Sequence, residues 1–105
     1  IKDRAKDMII SGGENIYSVQ VEEAICKHPA VIEAAVIGIP DDEWGESVKA
    51  YVVLKPDTLT TEQEIIDEAK KNLASYQKPK FVEFIDELPK APTGKILKRI
   101  LREQN

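Results

Sequence analysis

Between Val31 and Ile39 every residue except Glu33 is apolar or glycine. A strand with one solvated face alternates polar and apolar side chains, and this run does not, so both of its faces need cover. That requirement excludes a simple two-layer arrangement around this strand. With 105 residues the chain has material for one such core and too little for two. A hydrophobic fraction of 42% beside 32% charged residues is ordinary for a globular domain.

The neighbouring segments supply the cover. Met8-Ile9-Ile10, then Ser11-Gly12-Gly13, then Glu14-Asn15-Ile16 reads as a small β-hairpin. Ser18 suits an N-cap, and Val21, Ala24, Ile25 and His28 recur at helical spacing until Pro29, which predicts a helix over 18–28. Cys26 lies in that pattern as a small core residue, and His28 as a helix-end or surface residue. Pro40 to Glu46 is an acidic loop around Trp44. Val48, Ala50, Val52 and Leu54 then alternate with Lys49, Tyr51, Val53 and Lys55, a half-buried strand ended by Pro56. Thr61 and Glu64 form a capping box that opens the longest helix, with Ile65, Ile66, Ala69, Leu73 and Tyr76 on one stripe. Phe81 to Ile85 is a third core strand, and Ile96, Leu97, Ile100 and Leu101 mark a last helix. The fold class is α+β: a small three-stranded sheet packed with helices, preceded by a short β-hairpin.

Charge is segregated along the chain. The net charge is −4, yet residues 76–105 carry seven basic and four acidic side chains. A net acidic domain is a poor nonspecific binder of nucleic acid, whereas a local positive end suits a small phosphorylated ligand. No apolar run approaches the ~20 residues of a membrane span. The single cysteine forms no internal disulfide, as expected of a reducing cytoplasm. The chain opens at Ile1 without an initiator Met and is expected to be a fragment of a longer protein.

The chemistry concentrates in Leu88-Pro89-Lys90-Ala91-Pro92-Thr93-Gly94-Lys95-Ile96. Pro89 and Pro92 fix φ and remove two backbone donors, so the stretch is neither helix interior nor central strand. Gly94 permits a backbone conformation closed to other residues, and Lys95 follows it at the predicted start of the basic helix. Lys95, Lys98, Arg99 and Arg102 share one helical face, which reads equally as a solvated or a binding face. Thr93-Gly94-Lys95 is not a P-loop, because the first glycine of that motif falls at Pro89 and the hydroxyl residue after the lysine is Ile96. Ser11-Gly12-Gly13 has the wrong spacing for a dinucleotide fingerprint. No Cys/His cluster marks a metal site, and no Ser/His/Asp set marks a nucleophile.

Arg4-Ala5-Lys6-Asp7-Met8-Ile9-Ile10-Ser11-Gly12-Gly13-Glu14-Asn15-Ile16, then Val21-Glu22-Glu23, then Pro89-Lys90 through Gly94-Lys95-Ile96 with Arg99, resembles the C-terminal domain of the adenylate-forming superfamily, with acyl-CoA synthetases the nearest group. The resemblance spans residues 1–105. It implies a mobile lid on a larger N-terminal domain of the same protein that binds ATP and a carboxylic acid. The implied reaction forms an acyl-adenylate and pyrophosphate from the acid and ATP, after which the CoA thiol displaces AMP. Mg2+ is expected through the N-terminal domain, and neither nucleic acid nor a membrane span is implied.

By the same resemblance, Lys95 is the adenylation lysine, Lys6 the hinge and Arg4 a nucleotide neighbour, with a salt bridge to Asp3 or Asp7 as the plainer role for Arg4. Gly12 and Gly13 line a channel for the pantetheine arm of CoA. Trp44 lies where relatives contact CoA or packs locally. Tyr76 stacks on adenine or completes its helix stripe, and Lys78 pairs with the 3′-phosphate. Other readings are a free-standing module for a phosphorylated ligand or a protein partner, and the lid of an amino-acid adenylation domain serving a carrier protein. A luciferase-type oxidation fits less well.

Overall fold

The computed structural model describes residues 8–74 and 77–104. Arg4, Lys6 and Tyr76, each assigned a role above, lie outside the described residues.

β1 (Met8–Ser11) and β2 (Glu14–Tyr17) form the predicted hairpin, in register from Met8 against Tyr17 to Ser11 against Glu14. Gly12 and Gly13 close it with φ of +58° and +82°, the pair of left-handed residues that a two-residue hairpin loop of this hand demands. Alternation turns Ile9 and Ile16 into the core and leaves Met8, Ile10 and Tyr17 on the outer side. Helix α1 (Ser18–Cys26) ends two residues earlier than predicted, in a turn where Val31 N–H donates to the His28 carbonyl at 3.1 Å and Ala30 N–H donates to His28 Nδ1 at 3.1 Å. His28 thus closes the turn before β3. Ser18 is not the N-cap: Tyr17 holds that place without a side-chain bond, and Ser18 is buried as the first helical residue. Cys26 is exposed rather than in the core. It follows Ile25 by one position, which rotates it about 100° off the stripe of Val21, Ala24 and Ile25.

β3 (Val31–Asp41) and β4 (Gly45–Leu54) run antiparallel, from Val31 against Leu54 to Asp41 against Gly45. They extend into the predicted acidic loop and leave only residues 42–44 between them. β4 is not half-solvated, since Tyr51 and Val53 are buried opposite Val48, Ala50 and Val52. Helix α2 (Glu62–Lys70) starts as predicted, with Glu64 N–H donating to Thr61 Oγ1 at 3.1 Å. It stops at Lys70 and is therefore no longer than α1, and Leu73 reaches the core from beyond it. β5 (Phe81–Phe84) pairs parallel with β4, and α3 (Lys98–Glu103) ends the described chain.

β4 is the centre of one five-stranded sheet. β3 occupies one edge, while β1 at Gly45 and β5 at 49–52 succeed each other along the other. The predicted hairpin and three-stranded sheet are thereby joined. On one face Val36, Val48, Ala50 and Val52 pack with Val21, Ala24 and Ile25 of α1 and Ile65 and Ala69 of α2. On the other, Ala35, Ile37, Tyr51 and Val53 pack with Leu88, Ile96 and Leu101 of the C-terminal segment. The apolar run in β3 is covered twice, as its sequence requires. Burying a side chain such as Leu101 contributes about 1.5–3 kcal/mol, so the C-terminal segment is part of the core and not an appendage.

Candidate functional site

Two groups of candidate residues sit at opposite ends of β3. The first is the proline loop. Lys90 pairs with Ile96 in an isolated antiparallel bridge, Ala91 N–H donates to the Lys95 carbonyl at 2.9 Å, and Gly94 N–H donates to the Ala91 carbonyl at 2.8 Å. The loop is thus a three-residue hairpin, with Pro92 prepared for its first position and Gly94 at φ +89° in its last. Leu97 N–H donates to the Pro89 carbonyl at 2.8 Å, closing the base, and Ile96 packs on the second apolar cluster. Lys95 is exposed at the end of this hairpin. It is not on the helix, as α3 begins only at Lys98, so the predicted face of Lys95, Lys98, Arg99 and Arg102 loses its first member.

Lys98 also departs from the solvated reading. Its ammonium lies 2.7 Å from Glu22 Oε2 and donates to Ser18 Oγ at 3.1 Å, and its side chain is only 13% exposed. The same Glu22 oxygen accepts Val36 N–H at 2.9 Å along the edge of β3 away from β4. On the incoming arm, Lys90 Nζ lies 2.9 Å from Glu33 Oε1.

The second group surrounds the β1–β2 turn. Gly12 N–H donates to the Trp44 carbonyl at 2.9 Å, and the indole lies so close over Gly12 that an added Cβ would stand 2.6 Å from Trp44 Cε3. No heavy atom lies within 4 Å of the corresponding position at Gly13. Trp44 stays 49% exposed, so it packs locally and still presents ring surface. The turn that carries it is organised by Asp41. One carboxylate oxygen accepts the amides of Glu43 at 2.9 Å and Trp44 at 3.0 Å; the other accepts the Ser47 hydroxyl and the Lys80 ammonium. The Ser47 hydroxyl, followed by the two amides, holds the Asp41 carboxyl well below the usual carboxylate range. Lys78 is exposed two residues before Lys80.

The structure therefore unites Gly12 and Trp44 and separates both from Lys95. Glu33, which anchors the Lys95 hairpin through Lys90, and Asp41, which anchors the Trp44 turn, are both on β3. At ~3.3 Å per residue they are roughly 25 Å apart. Sequence reasoning missed Asp41, although an aspartate just ahead of the amides it bonds is a readable turn signal. It also missed the pairing of Lys98 with Glu22, for which no local signal exists. Among the described residues no group of three or more His, Cys, Asp or Glu is arranged to hold a metal ion, and no helix is long and apolar enough to cross a membrane.

Residues 20–95 match the AMP-binding enzyme C-terminal domain. The chain is 53% identical over 103 residues to a peroxisomal trans-cinnamate:CoA ligase of Petunia hybrida, covering 98% of this chain and 18% of that protein. It is 51% identical over 104 residues to a long-chain-fatty-acid–CoA ligase of Mycobacterium tuberculosis, covering 99% and 20%. Among solved structures, a Mycobacterium tuberculosis fatty acyl CoA synthetase superposes with a TM-score of 0.91 at 52% identity, over 99% of this chain and 20% of that one. Apo MatB from Rhodopseudomonas palustris superposes at 0.92 with 40% identity, over 96% and 20%. The chain spans about a fifth of the length of the curated relatives it matches. With most of its length inside the family match and about half of its residues shared with these ligases, the chain belongs to the family of AMP-binding enzyme C-terminal domains.

Proposed function

We propose that this domain is the lid of an ATP-dependent, AMP-forming acyl-CoA ligase, in which a larger N-terminal domain of the same protein binds ATP and the carboxylic acid. The observation that carries the reading is that the Lys95 hairpin is anchored on β3 at Glu33 and the Gly12–Trp44 patch at Asp41, two anchor points roughly 25 Å apart along that strand. One docked pose cannot bring both to a single reaction centre. Two poses can, and the ligase reaction has two steps.

In the first pose the exposed Lys95 enters the centre built by the N-terminal domain. As the carboxylate attacks the α-phosphate, negative charge gathers between them, and an ammonium fixed there stabilises it more than it stabilises the separated reactants. The hairpin pre-organises that ammonium: its backbone is closed by its own hydrogen bonds and its base is held by the core. Lys6 is the hinge between poses, and Arg4 lies near the nucleotide. In the second pose the Gly12–Gly13 turn borders the path of the pantetheine arm, where the open space beside Gly13 suits a thin ligand. Trp44 keeps exposed ring surface for a contact with CoA, adenine stacking is assigned to Tyr76, and Lys78 supplies a charge to the 3′-phosphate. The thiol then attacks the acyl carbonyl and AMP leaves.

ATP brings Mg2+, which this reading assigns to the N-terminal domain that binds the nucleotide. The expected compartment is the cytoplasm, although some relatives are named peroxisomal. The test is Lys95→Ala in the full-length ligase. Acid-dependent ATP–pyrophosphate exchange should fall by ~3 kcal/mol of transition-state stabilisation, more than a hundredfold. Thioester formation from preformed acyl-adenylate should persist. Equal loss of both half-reactions would refute the assignment.

A further inference from the structure

We propose that Lys98 and Glu22 form a latch that positions Lys95 for adenylation, a role that rests on the reading of Lys95 above. Lys98 is three residues beyond Lys95, at the first turn of α3, and its ammonium is seated between Glu22 Oε2 at 2.7 Å and Ser18 Oγ at 3.1 Å. Both partners are on α1, whose inner stripe is locked into the core. Glu22 is itself fixed, since its Oε2 also accepts Val36 N–H at 2.9 Å. The carboxylate therefore ties together α1, the edge of β3 and the root of the hairpin.

The mechanical consequence follows from the hairpin's construction. The Lys90–Ile96 bridge and the bond from Leu97 N–H to the Pro89 carbonyl join its two arms, so its orientation is set where those arms meet the rest of the domain. The incoming arm is held by Lys90 and Glu33, whose side chains are 40% and 28% exposed. The outgoing arm is held by Lys98 and Glu22, at 13% and 20%. The more buried pair is less screened by solvent and salt and has less side-chain freedom, so it sets the position more firmly. Without it the hairpin keeps its shape and loses its aim. Displacing a catalytic group by about 1 Å is enough to slow a reaction roughly a hundredfold.

The experiment uses the full-length ligase and measures both half-reactions with melting temperature. Lys98→Met should lower the kcat of ATP–pyrophosphate exchange roughly ten- to a hundredfold while leaving thioester formation from preformed acyl-adenylate at the wild-type rate, and Lys98→Arg should restore most of the loss. Glu22→Gln, which keeps an acceptor for Val36 N–H, should show the same selective loss if Lys98→Met fails to fold. A parallel fall in both half-reactions would mean that the pair only holds the fold together, and unchanged adenylation in the folded variants would mean that it positions nothing; either result overturns the latch. Lys95→Ala, run alongside, separates the two proposals: if it spares adenylation, the lid reading itself fails, and if it abolishes adenylation while Lys98→Met and Glu22→Gln do not, only the latch fails.

Discussion

Replacing Gly12 by alanine tests the contact between the β1–β2 turn and Trp44. The added Cβ would stand 2.6 Å from Trp44 Cε3 and 3.0 Å from Cζ3, where carbon atoms settle at about 3.5–4.0 Å. The indole must retreat by about 1 Å. It cannot take its backbone along freely, because the Trp44 carbonyl accepts Gly12 N–H and the Glu43 and Trp44 amides are bound to Asp41. Forcing the side chain off its rotamer costs about 0.5–1.5 kcal/mol, and an alanine held at the +58° φ of Gly12 adds about 1–2 kcal/mol. Together these come to about 1.5–3.5 kcal/mol. Gly13→Ala at φ +82° meets open space and incurs the backbone cost alone. At about 4–8 °C per kcal/mol for a domain of this size, Gly12→Ala should lower Tm by roughly twice as much as Gly13→Ala. Trp44 is the only tryptophan of the chain, so its emission and acrylamide quenching report the displacement directly. Quenching should rise in Gly12→Ala and stay near wild type in Gly13→Ala. Equal changes in the two variants, or a wild-type Tm and quenching constant for Gly12→Ala, would refute the steric argument.

Asp41 should make the Trp44 turn sensitive to acid. Its carboxyl is depressed in the folded state by the Ser47 hydroxyl and the amides of Trp44 and Glu43, so its contribution is complete above the unfolded pKa of about 3.9 and is lost as pH falls towards the folded value. The gap in urea midpoint between wild type and Asp41→Asn should be constant from neutrality to about pH 5 and narrow below about pH 4; a gap that widens on acidification would contradict the assignment. Thr61→Ala removes the oxygen that accepts Glu64 N–H at the start of α2. It should cost about 1 kcal/mol, read as a Tm drop of about 4–8 °C, and an unchanged Tm would show that Thr60, which already bonds the Glu64 carboxylate, caps the helix in its place.

Local chemistry explains where sequence and structure agree. The Gly12–Gly13 loop, the Thr61 cap and the hairpin of Pro92, Thr93 and Gly94 are each formed by residues within a few positions of one another, and the preferences that make them act at that range. Helix ends and strand faces were harder to read. α2 stops at Lys70 although apolar spacing continues to Leu73, because the chain leaves the helix and Leu73 still finds the core. Tyr51 alternates like a solvated residue of β4, yet the C-terminal segment covers it.

The amino-acid order alone determined the class of fold, the doubly covered strand and the presentation of Lys95 on a stiffened loop, since each follows from periodicity or from proline and glycine geometry. Tertiary structure decided the rest. Lys98 finds Ser18 eighty positions away and Trp44 settles on Gly12, and such pairings arise only when the sheet has brought distant segments together. Which charges are seated and which are solvated depends on the shape of the whole core, and no local pattern carries that information.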